Sequence, residues 1–391
     1  MTAEARTLEL SAGATGRPAG VGIVGCGAIS GQYLETLPRL GGLRLVAVAD
    51  LDPVRATVVA AEHGVRALAV DALVRDPEVD VVLNLTTPAA HDEVALAAVA
   101  AGKDVFGEKP LAADRAAAAR ILAAADAAGV RVGCAPDTVL GTGIQTARRA
   151  IDDGLLGTPV AATATMVTAG HERWHPHPDF YYLPGGGPLL DMGPYYVTAL
   201  VHLLGPVTSV VGASSRARAT RTIGSGPRAG EEIPVEVDTH VTGVLTHASG
   251  ALSTLVMSFD APASQAPPIE VHGTLASLQA PDPNGFDGVV RLRGVTEGAA
   301  DAWRALPVSA GFPDAGRGYG LADLVATPDG VEPRASGRLA LHVLDVMESL
   351  LDAARTGARV EVGAAADRPR AVPLPTVPDE RGWLADALHE T

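Results

Sequence analysis

Two cysteines and fourteen aromatic side chains (three Trp, six Tyr, five Phe) are all that the 391 residues contain. Cys26 lies inside a glycine turn and Cys134 ends a strand-like run, so no disulfide is expected and a reducing cytoplasm fits. No uninterrupted apolar stretch reaches the ~20 residues of a transmembrane helix, so a soluble chain without a membrane partner is expected. Basic charge is also short: 30 Lys and Arg against 45 Asp and Glu leave a net charge of −15. That balance argues against nucleic acid or an anionic membrane surface as a partner. The first residues lack the basic start and apolar core of a signal peptide, so residues 1–18 read as a flexible leader. No internal repeat is visible. The length allows two domains and a sizeable core.

What is present begins with a strand, a glycine turn and a helix, Val21-Gly-Ile-Val-Gly25-Cys-Gly27-Ala28-Ile29-Ser30-Gly31. Gly25 permits a tight turn, Gly27 lets backbone approach a pyrophosphate, and the helix N-terminus favours that anion. Ser30 stands at the third position of the fingerprint. A second strand, Leu43–Ala49, ends in Asp50, where an acid can accept hydrogen bonds from ribose hydroxyls. The apolar run Val79, Val81, Val82, Leu83 and Leu85 suits a strand buried on both faces and is stopped by Thr86, Thr87 and Pro88. An alanine-rich helix follows to Gly102, then a short strand closed by Glu108-Lys109-Pro110. A lysine at the carboxyl end of a parallel strand lies on the edge where open α/β sheets bind ligands. Strands alternating with helices to Cys134 predict a doubly wound parallel sheet over residues 19–137.

Beyond Asp137 the pattern changes. A helix is expected over Gly143–Asp153, then strands at Val160–Val167, Val207–Ala213, Asp238–Thr246, Ala251–Phe259, Ile269–Gly273 and Gly288–Arg293, and an amphipathic helix at Leu339–Ala354. Strands without intervening helices predict a second α/β domain, 138–391, with a large, mostly antiparallel open sheet. Arg216–Pro234, rich in glycine and charge, reads as a mobile loop. Six of the fourteen aromatic residues fall between Trp174 and Tyr196. Aromatic faces beside polar groups suit a sugar, so Trp174 and His175 are expected to touch substrate. His171, His175 and His177 are separated by prolines and lack a completing cysteine, which argues against a metal site. Pro188 can open a helix in which Asp191 and Tyr195, four apart, share a face and Pro194 introduces a kink.

Gly25-Cys-Gly27, Asp50, Thr87-Pro88-Ala-Ala-His91, Gly102-Lys103 and Glu108-Lys109-Pro110 together resemble the Gfo/Idh/MocA oxidoreductases. The resemblance implies a Rossmann domain followed by an α/β domain whose open sheet supports a homodimer or homotetramer. It also implies that Lys109 lies between nicotinamide and substrate, and that Thr86, Thr87, His91 and Glu108 border the cofactor. The cofactor set expected is therefore Gly25, Gly27, Ala28, Ile29, Asp50, Thr86, Thr87, His91, Glu108 and Lys109. The expected substrate set is Lys109, Asp137, Trp174, His175, Asp191 and Tyr195. In the family pattern Asp-x-Gly-x-His-x-x-Asp this chain has Asp191 and Gly193, with Tyr195 for the histidine and Thr198 for the second acid. The activity implied is hydride transfer between nicotinamide and a hydroxyl-bearing carbon of a sugar, polyol or glycoside. Tyr195 would take the hydroxyl proton, Lys109 would stabilise the developing alkoxide, and Asp191 would hold Lys109 or Tyr195 in place and hydrogen-bond a sugar hydroxyl. Asp50 followed by Leu51-Asp52 favours NAD over NADP. An NAD-dependent glycosidase using transient oxidation and a non-catalytic sugar sensor remain alternatives on the same fold.

Overall fold

The computed structural model describes residues 17–295 and 302–374; the expected leader lies, except for its last two residues, outside them. The chain divides into two compact units. The first runs to Asp137 and is completed by Gly316–Leu341; the second comprises Thr138–Ala315 and the chain from His342 onward. Residues 316–341 thus depart from the expected assignment of everything past Asp137 to one domain.

In the first unit β1 (Ala19–Val24), α1 (Ser30–Thr36), β2 (Leu43–Ala49), α2 (Pro53–His63), β3 (Arg66–Ala67), α3 (Val70–Val74), β4 (Val81–Asn84), α4 (His91–Ala100), β5 (Asp104–Gly107), α5 (Arg115–Ala128) and β6 (Val132–Cys134) alternate along the chain. The strands pair in parallel in the order β3-β2-β1-β4-β5-β6. Val81, Val82 and Leu83 are fully buried, as strands covered by helices on both faces require. Local chemistry sets the helix limits. Asp52 and Asp114 accept backbone N–H groups at the starts of α2 and α5, and Gly64 and Gly129 close them in the left-handed conformation. The strand order reverses between β1 and β4, the switch point at which open sheets bind ligands beyond the strands' carboxyl ends.

The second unit contains α6 (Thr142–Asp152), β7 (Pro159–Val167), α7 (Pro188–Leu204), β8 (Val207–Ser215), β9 (Thr220–Thr222), β10 (Glu232–Pro234), β11 (His240–His247), β12 (Leu252–Ser258), β13 (Ile269–Gly273), β14 (Ala276–Ala280), β15 (Arg291–Gly294) and β16 (Arg304–Ala305). Then α8 (Tyr319–Ala326) lies in the first unit's returning segment, α9 (Gly337–Thr356) begins in that segment and ends in the second unit, and β17 (Val360–Glu361) follows. Nine strands form one sheet, β16-β15-β14-β13-β7-β12-β11-β8-β17, antiparallel at every step except β7 with β12. Alternate residues such as Leu255 and Met257 are buried beneath α7, while Val160, Val211 and Leu252 stand exposed on the sheet.

One expectation changes. Arg216–Pro234 is not a bare loop: β9 and β10 pair within it, and Arg221 is buried. Pro194 lies inside α7, which runs on to Leu204. Gly193, just before it, packs so closely that a Cβ there would sit 2.7 Å from Met347 Sδ.

Candidate active site

Four turns at the carboxyl ends of β1, β2, β4 and β5 carry the first unit's candidate groups. Gly25 has a φ of +101°, and a Cβ on it would lie 2.6 Å from the Leu85 carbonyl oxygen, so glycine is required twice over. Gly27 differs, because a Cβ there would meet no atom of the described residues within 4 Å. Packing does not demand that glycine; it leaves a backbone face open, as a pyrophosphate needs. Ser30 Oγ donates to the Gly27 carbonyl at 2.7 Å and so belongs to the turn. Asp50 accepts the Cys26 N–H at Oδ2 and the Asp52 N–H at Oδ1, each at 2.8 Å, which locks the acid beside the turn. Arg55 Nη1 approaches Asp50 Oδ2 to 3.5 Å. Burial, reinforced by the Asp50 charge, pushes the Cys26 thiol up to about 11, so it stays a neutral spacer rather than a nucleophile.

Behind these turns runs a set of braces. Thr86 Oγ1 donates to Asn84 Oδ1 at 2.7 Å, and Asn84 Nδ2 donates to the His91 carbonyl at 3.0 Å. His91, expected at the cofactor, is buried with Nδ1 2.6 Å from the Pro110 carbonyl and Nε2 3.0 Å from the Thr86 carbonyl. It links the loop of Thr86 to the turn of Lys109, with both ring nitrogens engaged. Glu108 likewise accepts the Tyr33 hydroxyl at 2.9 Å and the Lys109 N–H at 3.0 Å. Burial and then Glu108 raise the Tyr33 hydroxyl well above its usual range, so it remains a donor. Lys109 is one of only two lysines in the chain. The other, Lys103, donates to the carbonyls of Asp76 and Val79 at 3.0 and 2.7 Å. That scarcity is a signal in the sequence which points at Lys109.

Asp137 needs correction as a substrate contact. Its side chain is 0% exposed; Oδ2 accepts the N–H groups of Gly318 and Gly320 at 2.8 and 3.1 Å, and Oδ1 lies 3.5 Å from Arg317 Nη1. The carboxylate fastens the returning segment to the first unit. Burial raises its pKa, with Arg317 opposing.

In the second unit, α7 carries Asp191 and Tyr195 one turn apart. Tyr196 turns away, its hydroxyl 3.3 Å from Asp282 Oδ1. Asp191 Oδ2 meets His171 Nε2 at 3.2 Å, a partnership that spacing did not suggest. His171 is packed among Phe259, Tyr181 and Trp174, with ring centroids 4.5, 4.7 and 5.3 Å away. Trp174 and Phe180 present large apolar faces to solvent, 58% and 55% exposed. His175 packs edge-on against Trp174 and Phe180, and burial lowers its pKa, which keeps it neutral. The segment is held from beneath. Glu172 accepts Arg221 Nη1 at 3.1 Å and the Tyr182 hydroxyl, and Arg221 also pairs with Asp260. Arg228 grips Asp179 with two bonds of 2.6 and 3.0 Å. Among the described residues no group of three or more His, Cys, Asp or Glu side chains is placed to hold a metal ion.

Residues 19–135 match the family model described as an oxidoreductase family with an NAD-binding Rossmann fold, and residues 144–279 match the GFO/IDH/MocA C-terminal domain. An inositol 2-dehydrogenase of Ralstonia nicotianae is 38% identical over 147 residues, 36% of this chain and 43% of that protein. That alignment therefore spans less than half of the relative's length. A D-apiose dehydrogenase of Paraburkholderia graminis is 26% identical over 367 residues, 87% of this chain and 88% of that protein. The crystal structure of an NAD-binding oxidoreductase from Klebsiella pneumoniae superimposes with a TM-score of 0.77 at 23% identity, over 89% of this chain and 99% of that one, a likeness of fold.

Proposed function

The chain belongs to the Gfo/Idh/MocA family of oxidoreductases, and on that premise we propose that it is an NAD-dependent dehydrogenase acting on a hydroxyl-bearing carbon of a sugar or polyol. The observation that carries the reading is the glycine turn, where a Cβ on Gly27 would point into space free of the described residues and Asp50 is pinned beside it. Gly25, Gly27, Ala28 and Ile29 would hold the pyrophosphate, and Asp50 the adenosine ribose. The Thr86–Thr87 loop and the Lys109 turn would border the nicotinamide end. Bound nicotinamide supplies hydride acceptance; the protein supplies position and field. Lys109 offsets charge developing on the substrate oxygen, Tyr195 takes the hydroxyl proton, and Asp191 orients the hydroxyl. Trp174 and Phe180 give the aromatic faces on which sugar C–H groups stack.

Asp50 and Asp52 oppose a 2′-phosphate, since two like charges about 4 Å apart at a protein surface repel by roughly 4 kcal/mol before screening. Arg55 sits against both acids, at 3.5 and 4.0 Å, and is neutralised by them. The exposed face of the nine-stranded sheet supports self-association as a homodimer or homotetramer, and two buried thiols suit a reducing cytoplasm. The test is a panel of inositols, aldoses, anhydrosugars and glycosides with NAD or NADP, followed by absorbance of the reduced cofactor, with calorimetry for binding. NADH formation on at least one polyol or sugar is expected, with NAD bound about tenfold tighter than NADP. Retained NAD with glycoside cleavage and no net reduction would move the assignment to a hydrolase. Failure to bind either dinucleotide would remove it.

A further inference from the structure

The second unit gives Asp191 a partner from outside its own helix. His171 stands in a short 3-10 turn, His171–Arg173, just past β7, and its two ring nitrogens have opposite surroundings. Nε2 lies 3.2 Å from Asp191 Oδ2, whereas Nδ1 is buried with no hydrogen-bond partner among the described residues. The two neutral tautomers are therefore unequal. A proton on Nδ1 would bury a donor with no acceptor and turn the Nε2 lone pair toward a carboxylate. A proton on Nε2 gives the carboxylate a donor and leaves only an unmet acceptor, the less costly orphan. The ring has little room to swing. Phe259, Tyr181 and Trp174 pack around it, and Glu172, the next residue, is tied to Arg221 and Tyr182.

We propose that His171 is the positioning residue of Asp191: its Nε2–H holds the carboxylate in the rotamer that meets the substrate hydroxyl. The role in turnover rests on the dehydrogenase assignment above; the tautomer does not. His171→Phe keeps a ring among the three aromatic neighbours and removes the donor. His171→Gln places an amide N–H near the position of Nε2. For His171→Phe a fall in kcat of about 10- to 100-fold is expected, the scale of one hydrogen bond to a charged group, with the KM for NAD nearly unchanged. His171→Gln should recover a large part of that loss, which a purely structural role for the ring would not produce. Turnover of His171→Phe at the wild-type rate, or a glutamine variant as slow as the phenylalanine one, would overturn the proposal. A second readout needs no turnover. Nitrogen NMR of the full-length protein labelled at histidine, with the His171 signals identified by their loss in His171→Phe, should show the proton on Nε2. Asp191→Asn should shift that nitrogen most. A proton found on Nδ1 sinks the inference even in an active dehydrogenase, and the Nε2 tautomer sustains it even if no sugar in the panel is oxidised.

Discussion

Lys109 is singled out by its place, two residues past β5 in a turn whose backbone N–H is fixed by Glu108. Removing its ammonium while that brace stays should separate chemistry from binding. Lys109→Ala is expected to lower kcat by at least ~100-fold, the usual scale for losing one electrostatic or acid–base group, while NAD affinity barely moves. Steady-state rates beside calorimetry check both halves, and a wild-type rate would remove Lys109 from the catalytic set. Lys109→Arg should not restore the rate, since the charge survives but the compact ammonium does not. At this scale the sequence revealed residue type and strand edge better than burial. Asp50 and Lys109 could be located because each follows an apolar strand. Asp137 follows one too, yet its carboxylate is buried against Gly318 and Gly320, partners 181 and 183 residues away that no local pattern reports.

At the scale of elements, most strands of both sheets were legible because alternation and apolar runs carry a period of their own, whereas β14 and the short edge strands β16 and β17 were not expected. The segment from Arg216 to Pro234 was not, since glycine and charge read as loop while its order comes from distant partners. Arg221 in β9 is 1% exposed and lies between Glu172, 49 residues before it, and Asp260, 39 after it. Thr239 Oγ1 adds a 2.6 Å bond to Asp260. The hairpin is thus a clasp on the aromatic segment, not a tether. Arg221→Met would leave the buried Glu172 and the half-buried Asp260 without their cation, so a loss of about 3–5 kcal/mol in stability is expected, as when one partner of a buried pair is removed. Urea unfolding of the full chain gives the number. A loss below about 1 kcal/mol would mean that the clasp carries little of the unit's stability.

On the scale of the whole molecule, the change from alternating elements to consecutive strands showed two folding units in the sequence, but not that Gly316–Leu341 returns to the first. That segment lacks a composition of its own, and its attachment depends on Asp137 and on the bridge between Gly133 and Ser336. The second unit also contains a titration device that spacing could not disclose. His342 Nδ1 is 2.7 Å from the Ala364 carbonyl and must donate there, so Nε2 is the acceptor for the Val207 N–H at 3.1 Å. A second proton would set one N–H against another. His247 is held between the Gly205 carbonyl and Ser253 Oγ, each at 2.7 Å. Burial lowers the pKa of both rings below the ordinary value of 6.5. The sign follows from the proton count. Well above pH 6.5, the ordinary value, both rings are neutral whether folded or unfolded, and they leave stability independent of pH. Below it the unfolded chain binds protons that the folded rings refuse, so stability falls with pH until the lowered folded values are reached. Each proton of difference contributes a slope of about 1.4 kcal/mol per pH unit. Trp174 and Trp303 belong to this unit, which makes tryptophan fluorescence a reporter of it. Urea midpoints followed by that signal should drop between about pH 7.5 and pH 5.5, before most carboxylates titrate. His342→Gln, whose amide oxygen can accept the Val207 N–H, should flatten the dependence; equal midpoints at both pH values in the unmutated protein would show that neither buried ring governs its acid stability.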